Sequence, residues 1–190
     1  MNYYQTIFNL SDEPEAVNFD KPINYSEFEI KQLNSDSNKY IQEPVIMTIN
    51  SEDGLKELDV NLSNFGAIIV SEKFKSLFEQ FNLEFFIVET PGYQLLQKYY
   101  ILKIPNFIDC VNEVKTKLEF WTEQNSSFNK RLIGNYKSIT NLTIDSHKAQ
   151  DLIIFRLKKF NPIIIVSEYF VNCFVSNHCS GLKFVPIKSL

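Results

Sequence analysis

Two histidines and three cysteines are the residues of this chain best suited to nucleophilic, acid–base or metal chemistry. Asp145-x-His147 has the composition of an acid–base pair, but no nucleophile or third ligand stands at a recognisable spacing. A polar loop ahead of a strand accounts for it better. His178-Cys179, with Cys173 upstream, has the types of half a metal site, and no second pair accompanies it. Cys173 also falls on an apolar helical face, where a free thiol behaves as a small hydrophobe. Five glycines leave no phosphate-cradling loop, and no Gly-x-Ser-x-Gly elbow, His-Glu-x-x-His or kinase-like set occurs. The basic cluster Arg156–Lys159 lies in or beside a strand and reads as a solvated edge, not a nucleic-acid site. The expectation is a chain with no catalytic residues, no metal and no organic cofactor.

The elements around these residues include an internal repeat. Ile68-Ile69-Val70-Ser71-Glu72-Lys73-Phe74 recurs as Ile164-Ile165-Val166-Ser167-Glu168-Tyr169-Phe170, 96 residues on, and over Ile68–Phe81 seven of fourteen positions are identical. Leu62-x-x-Phe65 answers Leu157-x-x-Phe160 upstream, and Leu83-Glu84-Phe85 answers Leu182-Lys183-Phe184 downstream. Each copy opens with a β-branched run that predicts a buried strand. A serine follows where a helix N-cap is wanted, and a glutamate in the first turn suits the helix dipole. Phe74, Leu77, Phe78 and Phe81 then fall at helical spacing, as do Phe170, Cys173 and Phe174, which predicts one apolar face toward a core. Each copy therefore reads as strand, capped helix, strand, over 62–88 and 157–187.

The rest of the chain is less regular. Tyr3–Leu10, Val45–Ile49, Tyr99–Ile104, Leu142–Ile144 and Ile153–Leu157 are strand candidates. Val111, Val114, Leu118 and Trp121 have helical spacing within Phe107–Trp121, although Phe107–Val111 also reads as a strand. Residues 122–140 are polar and predict loop and edge structure. The fold class expected is α+β: mixed sheets with packed helices, built partly from a duplicated strand–helix–strand unit. A soft boundary near 55–60 separates a 1–60 region, packed on the rest, from 61–190, which holds both repeats.

Bulk properties bound the function. With 190 residues, 44% hydrophobic and 22% charged, the chain can bury a sizeable core. The opening Met1-Asn2-Tyr3-Tyr4-Gln5 lacks the form of a signal peptide, no apolar run is long enough to span a bilayer, and three cysteines suit free thiols. A cytoplasmic protein without a membrane role is expected. Residues 1–65 carry four Lys and twelve acidic residues, a balance of −8, whereas 66–190 carry fifteen basic and eleven acidic residues, a balance of +4. The acidic end favours a basic partner over nucleic acid.

Ile154-Phe155-Arg156-Leu157, Ile165-Val166-Ser167-Glu168 and Leu182-Lys183-Phe184-Val185-Pro186-Ile187 resemble the C-terminal signature of immunity protein family eleven. Val70-Ser71-Glu72-x-Phe74, Tyr99-Tyr100-Ile101-Leu102 and Phe107-Ile108-Asp109-Cys110-Val111 fit the same pattern in the same order, and Tyr3-Tyr4 is similar to its usual start. The resemblance covers 60–190 well and 1–60 poorly, and the acidic residue expected after the Asp-Cys block is Asn112. It implies a non-enzymatic protein of a polymorphic toxin system that binds and neutralises a cognate toxin. No catalytic residues are carried over. The acidic N-terminal third then offers Asp12, Glu13, Glu15, Asp20, Glu27 and Glu29 as toxin-binding residues, facing a basic, nuclease-like domain. Two other readings compete: an enzyme reversing a toxin's modification through Asp145 and His147, and a scaffold or adaptor module.

Overall fold

A computed structural model describes residues 2–9, 12–35, 41–50, 52, 54–126, 129–149 and 151–190. In chain order the first elements are β1 (Tyr3–Phe8), β2 (Asn18–Pro22), α1 (Glu27–Lys31), β3 (Val45–Asn50) and β4 (Val60–Leu62). Next come β5 (Ile68–Ser71), α2 (Glu72–Phe78), β6 (Glu84–Glu89), β7 (Tyr99–Lys103), β8 (Phe107–Ile108) and β9 (Lys117–Phe120). The last are β10 (Tyr136–Thr140), β11 (Thr143–Ile144), β12 (Ile154–Leu157), β13 (Phe160–Ser167), α3 (Glu168–Ser176) and β14 (Leu182–Ser189). The class is α+β, with parallel and antiparallel pairs mixed in each large sheet. None of the described helices is long and apolar enough to cross a membrane.

The chain divides into two units. One holds Met1–Thr6, Asn106–Val171 and Phe184–Leu190; the other holds Ile7–Pro105 and Asn172–Lys183.

The second of these is built on the sheet β2-β3-β6-β7-β5-β4. All residues of β5 and β7 are buried, which is why both read as continuous apolar runs, while β3 alternates. Pro22 is tolerated in β2 because that strand lies at the sheet edge. Phe19, Met47, Ile69, Tyr99 and Ile101 belong to one core, with Phe19 and Tyr99 in ring contact at 5.1 Å. Phe74 and Phe78 of α2 are buried with their rings tilted against each other at 4.8 Å, and Phe174 meets Phe74 edge-on at 6.5 Å. Truncating any of these phenylalanines to Ala costs about 3–5 kcal/mol.

The first unit holds the sheet β11-β14-β1-β13-β12-β8 and the separate hairpin β9-β10. Tyr3, Cys110, Phe155, Leu157 and Ile165 lie in its core, and Phe170 is buried against Phe184 with centroids 6.2 Å apart.

The two sheets share an ordering. In one, β3-β6-β7-β5-β4 are successive neighbours; in the other, β11-β14-β1-β13-β12 are. β3 pairs parallel to β6 and β11 parallel to β14; β7 is antiparallel to β5 and β1 antiparallel to β13. The central registers correspond: Tyr99↔Ser71 and Tyr100↔Val70 against Tyr3↔Ser167 and Tyr4↔Val166. The opening Tyr-Tyr pairs stand 96 residues apart, the same spacing as the two Val-Ser-Glu blocks.

Two expectations are corrected. Phe107–Trp121 forms no helix: Val111 is buried and bridges Ile144, whereas Val114 is 95% exposed. Asn112 stops the pattern, because its side chain accepts from Lys115 N at 3.0 Å and its carbonyl from Thr116 N at 3.0 Å, closing a turn that delivers the chain into β9. Arg156 is not a solvated edge residue but is only 5% exposed, donating through Nη1 to Asn161 O at 2.6 Å within the β12–β13 hairpin. Burial pushes its guanidinium down to about 10.

Candidate functional site

Asp145 and His147 stand at a short 3-10 turn, Ser146–Ala149, just after β11. The Asp145 carboxylate accepts from the backbone N–H of His147 at 3.1 Å, so it serves the first turn as a capping acceptor rather than orienting the imidazole. His147 itself is exposed. An aspartate cap reaching two residues ahead needs only a backbone N–H there, so the bond accounts for Asp145 and leaves the imidazole of His147 out of it.

His178 and Cys179 end α3. His178 has φ 52°, its N–H donates to Val175 O at 2.9 Å, and the Cys179 N–H donates to Phe174 O at 3.0 Å. That pair of bonds, with a left-handed residue between them, is the Schellman termination of a helix. Burial pushes the Cys179 thiol up to about 11, and the fully buried Cys110 up to about 12, so neither is an activated thiolate. Among the described residues no group of three or more His, Cys, Asp or Glu is placed to hold a metal.

Polar side chains of the first unit converge on Glu113. Its Oε1 accepts from Tyr136 Oη at 2.7 Å and from Lys159 Nζ at 2.8 Å, which holds the Glu113 carboxyl below its usual range. Burial and the bond to Glu113 both push the Tyr136 phenol up. An open cavity of about 330 Å³ beside it is lined by Trp121, Leu132, Tyr136, Phe160 and Pro162, with Lys158 at its wall. The network ties the β9–β10 hairpin to the turn after β12.

In the second unit the buried carboxylate is Asp59, a residue its sequence context did not single out. Oδ1 accepts from Ser71 Oγ at 2.8 Å; Oδ2 accepts from Ser180 N at 2.9 Å, Ser180 Oγ at 3.2 Å and Lys73 Nζ at 3.4 Å. Lys73 also donates to His178 O at 3.0 Å. A buried anion persists only when hydrogen-bonded and paired, and here both conditions hold. The one available signal was an acid set between the apolar Leu58 and Val60.

The six acidic candidates occupy different local settings of the second unit. Asp12 pairs with Lys183, and Glu13 with Lys56 at 2.5 Å. Asp20 accepts from Asn64 Nδ2 at 3.1 Å. Glu29 closes a capping box with Ser26, accepting from its N–H at 3.0 Å, while Glu27 is exposed in the first turn of α1. Glu15 is exposed and its carbonyl accepts from Lys56 N at 2.8 Å. The fold thus brings the Glu13 carboxylate and the Glu15 backbone carbonyl to Lys56 and places Glu27 and Glu29 on α1.

Asp145 therefore serves a turn, the backbones of His178 and Cys179 serve a helix end, and Asp12, Glu13 and Asp59 are held in ion pairs. No curated protein matches the chain. Residues 10–189 match the sequence model described as Immunity protein family (Imm11), nearly the full length, and that family's role is immunity to toxins, which implies a cognate toxin partner. The chain belongs to the Imm11 immunity protein family.

Proposed function

We propose that this protein acts in the cytoplasm of a toxin-producing cell, binding the cognate toxin of a polymorphic toxin system directly and blocking it stoichiometrically, without catalysis. Family membership over residues 10–189 carries the reading. It is supported by the Asp145 carboxylate accepting from the backbone N–H of His147 rather than orienting the imidazole, the pair on which the enzyme alternative rests. The −8 balance of residues 1–65 favours a basic toxin domain of the nuclease kind, whose substrate groove must itself be positive. The experiment is co-expression of this protein with the toxin encoded beside its gene, followed by size-exclusion chromatography of the purified pair. Protection with a stable complex is expected; protection with no complex would return the reversing enzyme.

We also infer that the fold descends from a duplicated unit larger than one strand–helix–strand. Supporting it are the shared strand order, the matching central registers and the 96-residue spacing of both Tyr-Tyr and Val-Ser-Glu. On this reading each half of the sequence gives its opening strand to the sheet of the other: β7 enters between β5 and β6, and β1 between β13 and β14.

A further inference from the structure

Trp121, the chain's one tryptophan, lines the open cavity of about 330 Å³ in the first unit together with Leu132, Phe160 and Pro162. Backbone hydrogen bonds set its walls. Trp121 N donates to Asn135 O at 2.9 Å, Gly134 N donates to Trp121 O at 3.1 Å, and Tyr136 N donates to Lys159 O at 3.1 Å. The Tyr136 hydroxyl and the Lys159 ammonium are both committed to Glu113, so they frame the cavity and are not free to bind.

The segments that supply these walls carry one sign of charge. Positions 130–137 and 156–162 hold six basic residues, Lys130, Arg131, Lys137, Arg156, Lys158 and Lys159, and no acidic one. None of the cavity's lining residues is acidic either. Three of the six cations are occupied. Arg156 is buried in its hairpin, Lys137 meets Glu119 at 4.0 Å, and Lys159 meets Glu113 at 2.8 Å. Lys130, Arg131 and Lys158 are exposed and have no ion-pair partner among the described residues. Lys158 lines the cavity itself, and Lys130 and Arg131 directly precede Leu132 in a 3-10 turn.

We propose that this cavity is the socket for an acidic segment of a partner protein. One aromatic or aliphatic side chain of that segment fills it, and flanking carboxylates meet Lys158, Lys130 and Arg131. The inference goes beyond the toxin-binding reading without resting on it, and draws on none of the six acidic candidates. An apolar side chain in a preformed pocket anchors an interface, while charges at its rim speed encounter and select the partner. Nucleic acid is the other polyanion, and the rings argue against it. Lys137 lies over the Trp121 ring at 5.7 Å and Lys159 over the Tyr136 ring at 5.4 Å, and Tyr136 is only 2% exposed. That leaves no open stacking platform of the kind single strands use. The chain's net charge of −4 also repels a long polyphosphate, whereas a short acidic segment meets only the basic walls.

Because Trp121 is the chain's one tryptophan, its fluorescence reads the site directly in the full-length protein. The probe is the capped peptide Glu-Asp-Phe-Asp-Glu, set against Glu-Asp-Ala-Asp-Glu, Lys-Lys-Phe-Lys-Lys and a short oligothymidylate. The acidic phenylalanine peptide should shift the emission saturably and bind at least roughly tenfold more tightly than each of the other three. Its affinity should fall as salt is raised. Lys158→Glu, at an exposed position, should melt as wild type does and weaken this peptide at least roughly tenfold. Lys115→Glu, at an exposed lysine outside the lining, should bind it as wild type does. Emission unmoved by the acidic phenylalanine peptide overturns the proposal, as does equal binding of the alanine or lysine peptide. Wild-type binding by Lys158→Glu overturns it too, as does Lys115→Glu weakened to the same degree. Binding of the oligothymidylate as tight as that of the acidic phenylalanine peptide overturns it in favour of a nucleic-acid site.

Discussion

Tyr99 stands across the sheet from Ser71, the residue whose hydroxyl caps α2 by accepting from Phe74 N at 3.1 Å. Tyr3 stands in the same relation to Ser167, whose hydroxyl accepts from Phe170 N at 3.3 Å. Each tyrosine hydroxyl also donates 3.1 Å to a backbone carbonyl ahead of the strand that flanks the serine, Leu58 O for Tyr99 and Ala149 O for Tyr3. Burial pushes both phenols above their ordinary range.

Tyr3→Phe and Tyr99→Phe should therefore behave alike. Each removes the hydroxyl's bond to a backbone carbonyl and leaves that buried carbonyl short of a donor, at a cost of about 1–3 kcal/mol, while Tyr99→Phe also loses the hydroxyl's contacts with Glu57 and Gln97. Chemical denaturation of the two variants checks it; a neutral Tyr3→Phe beside a costly Tyr99→Phe would break the correspondence between the two sites.

The two caps should not be equal. Ser167→Ala loses a cap, about 1 kcal/mol. Ser71→Ala also deprives the buried Asp59 of the donor at 2.8 Å, which adds about 1–3 kcal/mol. Thermal melts should place Ser71→Ala clearly below Ser167→Ala.

Gly181→Ala should be severe. Gly181 has φ 100°, and a Cβ would sit 1.9 Å from Val60 O, so backbone must move and the bond from Val60 N to Ser180 O at 3.0 Å goes with it. A loss of about 3 kcal/mol or more is expected from strain and the broken bond together. Gly92→Ala, at φ 87° with open space around it, serves as the comparison and should cost about 1 kcal/mol.

His147→Ala should leave toxin protection intact, because the Asp145 carboxylate bonds the backbone of residue 147 and not its ring. Asp145→Ala should lower stability by about 1 kcal/mol through the lost cap without abolishing protection. Survival of producing cells under toxin expression is the readout. Lost protection in a folded His147→Ala protein would revive the enzyme.

Cys110 should resist alkylation in the native state at pH 8 and react once the protein is denatured, as peptide mass analysis of labelled protein would show. Burial lifts its pKa to about 12, so the folded state holds the proton between pH 9 and 12 while the unfolded chain releases it. The sign follows: this contribution is complete below pH 9 and stability declines as pH rises from there toward 12.

Several features were legible in the sequence because they depend on residues within a turn of one another. β-branched runs, a serine cap, an acidic first turn and phenylalanines at helical spacing specify β5–α2 and β13–α3 locally. Membership of the family was legible for the same reason, since those blocks are contiguous. The helical spacing of Phe107–Trp121 misled because Asn112 offers a competing turn and because residues 117–120 find their partners at 136–140. Asp145-x-His147 and His178-Cys179 were visible as residue types, but their employment in a cap and a helix end is a matter of backbone geometry. Only tertiary structure decided that Asp59 bonds Ser180, 121 residues away, that the Glu57 carboxylate meets the Leu96 N–H, and that the Lys56 N–H meets the Glu15 carbonyl. Strand pairing and the burial of charge are settled by segments far apart in the chain, and local periodicity carries no record of which distant segment will arrive.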